Sequence, residues 1–146
     1  MPASNVSTTV PQQTEISTRF LLVVDDEPVI RMIARTCLTT AGFAVAEAED
    51  EASAYEAIQK AVTPFDLILL DLTLGETDGA NLIPSFRRQS PTTRILVVSG
   101  LSAEEVEGLD ADGFLGKPFT KKSLLLAVGQ ALQKAVGETG QETGDK

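Results

Sequence analysis

Short apolar runs alternate with amphipathic stretches along most of the chain. Strand-like runs cover 20–24, 43–48, 67–70, 95–98 and 113–115. Between them, Ile30, Ile33, Ala34, Cys37, Leu38 and Ala41 recur at helical spacing, as do Leu125, Val128, Leu132 and Val136. Pro28 suits a first helical turn, Ser102 with Glu105 makes a capping-box pair, and Thr120 fits an N-cap. The runs LLVV, LILL and ILVV are continuous rather than alternating, as strands buried on both faces of a parallel sheet require. Helices must then cover both faces. Right-handed crossovers and short connections predict an α/β fold, a doubly wound (βα)5 three-layer arrangement on a five-stranded parallel sheet of flavodoxin-like order 2-1-3-4-5.

The ends break this pattern. Residues 1–18 are rich in Ser, Thr, Gln, Asn and Pro, and 137–146 read GETGQETGDK; neither has the apolar surface to offset the entropy of ordering. The expected organisation is a flexible leader (1–18), one domain (19–136) and a flexible tail (137–146). A length of 146 residues with 42% hydrophobic composition suffices for one core. No run approaches a membrane span, and no charged segment followed by an apolar one opens the chain, so the expectation is a cytoplasmic protein with no membrane insertion.

Charge and composition then exclude several chemistries. Twelve basic against 21 acidic residues give a net charge of −9, which repels phosphate backbones and argues against direct nucleic-acid binding. The chain has no histidine, which removes Ser-His-Asp triads, His-containing zinc motifs and any phosphohistidine of its own. Its lone Cys37 lies in a helical pattern and reads as a small buried hydrophobe. What remains for chemistry is carboxylates, lysine and hydroxyls.

Those residues are placed systematically. Asp25 and Asp26 end the first apolar run, Asp71 the third and Ser99 the fourth, while Lys117 follows the fifth. In a parallel sheet these carboxyl ends share one edge, and in the order 2-1-3-4-5 strands 1 and 3 are neighbours at the switch point. Three carboxylates about 4 Å apart repel by roughly 1 to 4 kcal/mol per pair, which calls for a hard cation. Oxygen ligands without histidine favour Mg²⁺ or Mn²⁺ over zinc. With Asp71 as nucleophile, a cation and Lys117 across from it and Ser99 beside it, the set suits phosphoryl transfer to a carboxylate.

At LLVVDDEP, DLILLDLTLGETDG, ILVVSG and GFLGKPF the chain resembles the response-regulator receiver family, over about residues 19–136. The resemblance implies that Asp26, Asp71 and the Thr73 carbonyl ligate Mg²⁺, that Asp25 acts through water, and that Asp71 is phosphorylated. It also implies that Ser99 and Phe114 are a switch pair and that the Lys117–Pro118 peptide is cis. Three departures stand out. Gly75 occupies a position where the family usually has proline, and Thr77 replaces a common apolar residue, so that loop is expected to be mobile. Only 18 positions separate Ser99 from Lys117, so the fourth helix should be short or distorted. The two positions by which the family tunes phosphate lifetime are Thr73 and Leu101, neither able to orient a water readily, which predicts slow self-dephosphorylation.

Each residue also has a plainer reading. Asp25 and Asp26 could be helix N-terminal acids, Asp71 a strand-end turn residue, and Phe114 a core aromatic. Glu104, Glu105 and Glu107 read as a solvated face, and Lys121 and Lys122 as surface charges. It is the set together that points to a signalling phosphoacceptor rather than an enzyme with turnover. Lacking histidine, it needs a donor partner, a histidine kinase or histidine phosphotransfer protein, and a protein output partner; it is expected to be a monomer or weak dimer. An aspartyl-phosphate hydrolase is disfavoured because Thr73 stands where such enzymes want a second Asp, and a phosphorylation-independent docking domain is the other alternative. The residues after Val136 are too few and too polar to form a DNA-binding or enzymatic output domain, so the expectation is a stand-alone regulator or the receiver of a hybrid kinase.

Overall fold

The computed structural model describes residues 18–102 and 104–134. The proposed leader (save Thr18), the proposed tail and Val136 lie outside them. Strands β1 (Phe20–Val24), β2 (Ala44–Ala48), β3 (Leu67–Asp71), β4 (Arg94–Ser99) and β5 (Gly113–Gly116) form one parallel sheet. The order is β2-β1-β3-β4-β5, as the apolar runs predict. Helices α1 (Pro28–Thr40), α2 (Glu51–Lys60), α3 (Leu82–Gln89) and α4 (Lys121–Gln133) make the outer layers. None of them is long and apolar enough to cross a membrane.

Both faces of the sheet are buried, which explains the unbroken apolar runs. Leu22, Val24, Ile68, Leu70, Ile95 and Val97 pack with Ala54 and Phe86 on the α2 and α3 side. Their neighbours Leu21, Val23, Leu67, Leu69, Leu96 and Val98 meet Ala34, Leu38, Leu124 and Val128 of α1 and α4. Pro28 opens α1. Thr120 caps α4 in a reciprocal box, accepting from the Ser123 amide while its own amide donates to Ser123 Oγ. Asp50 and Ser53 do the same for α2. Ile33, placed by periodicity on the inner face of α1, is 41% exposed, because that face is only as wide as Ala34 and Leu38 with part of Ile30 and Cys37. Cys37 is half-buried against the core rather than enclosed.

Among its described residues the fourth crossover contains no regular helix. Ser102 and Glu105 form the expected box, the Glu105 amide donating to Ser102 Oγ and the Ser102 amide to Glu105 Oε1. The bonds that follow, Glu107 to Glu104 and Leu109 to Val106, are single turns, and Gly108 at φ +91° reverses the chain. In place of the expected short fourth helix, 104–108 is a run of turns. The reason is length: after the box only a few residues remain before the reversal, too few to repay helix nucleation.

Candidate functional site

The carboxyl ends of β1 and β3 lie side by side, Val24 pairing with Leu70, so Asp25 and Asp71 emerge together. Asp25, Asp26 and Asp71 each offer an oxygen within 4.8 Å of the others. Asp25 and Asp71 are both 3% exposed, whereas Asp26 faces solvent. Lys117, carried past the end of β5 and followed by a cis peptide to Pro118, reaches back over them. Its Nζ lies 2.9 Å from Asp25 Oδ2, 3.4 Å from Asp71 Oδ2 and 3.2 Å from Glu27 Oε1. Asp26, Glu27, Asp71, Thr73, Gly100 and Lys117 line an open cavity of about 310 Å³.

Backbone amides hold the acids in place. The Thr73 amide donates to Asp71 Oδ1 at 3.0 Å and the Glu27 amide to Asp25 Oδ1 at 2.9 Å. The loop after Asp71 folds into a two-residue ladder, Thr73–Leu74 against Thr77–Asp78. Gly75 turns it at φ +57°, and its amide donates to Asp26 Oδ2 at 2.8 Å, a bond that a proline could not make. Gly79 closes the loop against the site: a Cβ there would meet the Asp71 carbonyl at 2.6 Å.

The electrostatics follow from this crowding. Burial pushes the Asp71 carboxyl up to about 6; the Thr73 amide opposes the rise, the Asp25 charge adds to it, and Lys117 opposes it. Burial disfavours the charged Lys117, but its bond to Asp25, the charges of Asp25 and Asp71 and the bond to Glu27 outweigh that, and its pKa is raised. One ammonium thus faces three carboxylates, with Asp26 a fourth acid beside them. An all-oxygen donor set with excess negative charge, one member open to solvent, fits a divalent cation held by Asp25, Asp26 and Asp71.

Of the residues singled out in the sequence, Asp25, Asp26, Asp71 and Lys117 converge, and Thr73 lines the same cavity. Ser99 ends β4 but is 1% exposed, its Oγ accepting from the Leu101 amide at 3.0 Å. Phe114 is not a core residue: it is 39% exposed beside a separate cavity of about 250 Å³, lined also by Val97, Val106, Leu109 and Ala111. Sequence reasoning passed over Glu27. The signal was present, since it is the third acid of an unbroken Asp-Asp-Glu run preceding α1.

Known proteins resemble the chain in sequence and in fold. The family model described as the response regulator receiver domain matches residues 21–129. The alginate biosynthesis transcriptional regulatory protein AlgB of Pseudomonas putida is 37% identical over 117 residues, 77% of this chain but 26% of its own length. The sensor kinase CckA of Brucella abortus is 32% identical over 118 residues, 78% of this chain and 12% of its own. Among solved structures, a response regulator from Burkholderia pseudomallei with a phosphorylated aspartic acid, a calcium ion and citrate superposes with a TM-score of 0.68 at 29% identity, over 79% of this chain and 69% of its own. Matched over three quarters of its length, and with the acidic edge and lysine described above, the chain belongs to the response regulator receiver domain family.

Proposed function

We propose that Asp71 accepts a phosphoryl group from a phosphohistidine on a partner protein, a histidine kinase or a histidine phosphotransfer protein, and that the product alters binding of a protein output partner. The observation that carries this reading is a buried carboxylate at the wall of an open cavity, with Lys117 Nζ 3.4 Å from one of its oxygens. The Thr73 amide occupies Asp71 Oδ1, which leaves Oδ2 to attack phosphorus. As the new O–P bond forms, the P–N bond to the donor imidazole breaks and its electron pair leaves on nitrogen. Lys117 shifts its charge from the carboxylates to the phosphoryl oxygens. Asp25 and Asp26, with Asp71 and the Thr73 carbonyl, would hold Mg²⁺, and Mn²⁺ would suit the same oxygens; bound there, the ion neutralises the acids and the transferred group's charge.

Thr73, exposed at the cavity wall, and Leu101, 40% exposed, provide no carboxylate or carboxamide to orient a hydrolytic water, which supports a slowly lost phosphate. The reading makes the chain a cytoplasmic protein-binding module, a monomer or weak dimer, serving alone or as the receiver of a hybrid kinase. Intact-mass analysis after incubation with a small acyl phosphate and Mg²⁺, and separately with a phosphorylated histidine protein, tests it. Wild type should gain one phosphoryl group and Asp71→Asn none. Equal labelling of both, or of neither, would overturn the assignment.

A further inference from the structure

Lys117 has three carboxylate partners, and they are not equivalent. Asp25 and Asp71 are buried and belong to the cluster of three acids. Glu27 is outside that cluster, its side chain is 61% exposed, and it lines the mouth of the cavity through which a phosphoryl donor must enter. Its backbone is fixed, because its amide donates to Asp25 Oδ1 and its carbonyl accepts from the Arg31 amide in the first turn of α1. Its side chain lines the cavity, with the Lys117 ammonium 3.2 Å from the carboxylate.

We infer that Glu27 is a positioning residue that competes with the incoming phosphoryl group for Lys117. Two effects act in the same direction. Glu27 occupies a bond of the ammonium that a phosphoryl oxygen needs, and its own charge repels an anionic donor at the mouth. The chain thus discriminates against small anionic donors, and a protein donor that displaces Glu27 by its own contacts escapes the penalty. The pair is part-exposed, so its effect should be that of an ordinary solvent-facing ion pair, about two- to fivefold in an equilibrium or half-saturation constant.

The inference rests on Asp71 being the phosphoacceptor, and the test separates the two claims. Half-saturation and maximal rate of phosphorylation by a small acyl phosphate would be measured for wild type, Glu27→Gln, Glu27→Asp, Lys117→Met and the double variant Glu27→Gln/Lys117→Met. Binding of beryllium fluoride would be followed in parallel by calorimetry. Glu27→Gln should lower the half-saturating donor concentration two- to fivefold, leave the maximal rate within error, and tighten beryllium fluoride by a similar factor. Glu27→Asp, too short to reach Lys117 but still charged, should fall between the two. In the Lys117→Met background the effect of Glu27→Gln on beryllium fluoride binding should shrink, as expected of two residues that act through one contact. An unchanged or higher half-saturation in Glu27→Gln overturns the inference while leaving the phosphoacceptor in place. A gain that persists undiminished without Lys117 reduces Glu27 to simple repulsion and overturns the competition. Wild type that is never labelled overturns both.

Discussion

Asp71 is held where an ionised carboxyl is least comfortable, 3% exposed and beside the charge of Asp25. With its carboxyl at about 6 in the native state against 3.8 for an ordinary Asp, the folded protein binds more protons than the unfolded chain between those values. Metal-free stability therefore falls as pH rises through that window. Below it Asp71 is neutral in both states and costs nothing; above it the cost is complete, about 3 kcal/mol at most for a shift of this size. Asn has the same shape without the charge. In EDTA, Asp71→Asn should be more stable than wild type by about 1 to 3 kcal/mol at pH 7.5, with the gap closing below about pH 4. Urea titrations across pH would check it, and a gap independent of pH would show that ionisation of Asp71 is not its cause. Gly75 contributes at backbone level: its amide donates to Asp26 and helps hold three like charges at one edge.

The fourth crossover, with no helix among its described residues, is held mainly from its far end. Arg87 of α3 donates through Nη2 to the Asp110 carbonyl at 2.7 Å and to Asp112 Oδ2 at 3.1 Å, and Nη1 meets the Thr93 carbonyl at 3.5 Å. The Asp112 side chain, 8% exposed, also accepts from the Ile95 amide, and Lys134 at the end of α4 stands 3.9 Å from its other oxygen. Arg87→Ala would leave a nearly buried carboxylate without its close partner, and should cost about 2 to 4 kcal/mol in urea unfolding and speed amide exchange at 104–112. A loss under 1 kcal/mol would mean that Val106 and Leu109 hold the segment by packing alone. This element also marks the limit of the sequence reading. Strands β1, β3 and β4 were legible because burial on both faces leaves an uninterrupted apolar run, and Asp25 and Asp71 followed because they end such runs, Lys117 because it follows the short fifth one. The loss of the fourth helix was only half legible: the 18-residue spacing announced it, but the Ser102 and Glu105 pair is a helix signal, and nothing local shows that Gly108 reverses the chain three residues later. The Arg87 contacts to Asp110 and Asp112 link residues more than 20 positions apart, and Glu27 bonds Lys117 across 90, which no local pattern encodes.

At the scale of the whole molecule, the acidic edge and Phe114 are connected through the end of β4. Ser99 Oγ accepts from the Leu101 amide and its carbonyl accepts from the Lys117 amide, so one residue touches both the turn segment and the end of the strand that carries Phe114. Phe114 waits 39% exposed beside a cavity lined by Val97, Val106, Leu109 and Ala111. Burying the rest of that ring is worth about 1 to 2 kcal/mol, which shifts a two-state population about tenfold. A phosphoryl group on Asp71 that draws the Ser99 hydroxyl from Leu101 would release the turn segment at its near end and let the ring enter. Hydrogen exchange with and without beryllium fluoride and Mg²⁺ makes the coupling measurable. In wild type the mimic should speed exchange at the Leu101 amide and slow it across 113–116; in Ser99→Ala it should bind yet leave 113–116 unchanged. If Ser99→Ala shows full protection at 113–116, the signal reaches Phe114 by another route, and the passage from Lys117 directly along β5 is the one the structure leaves.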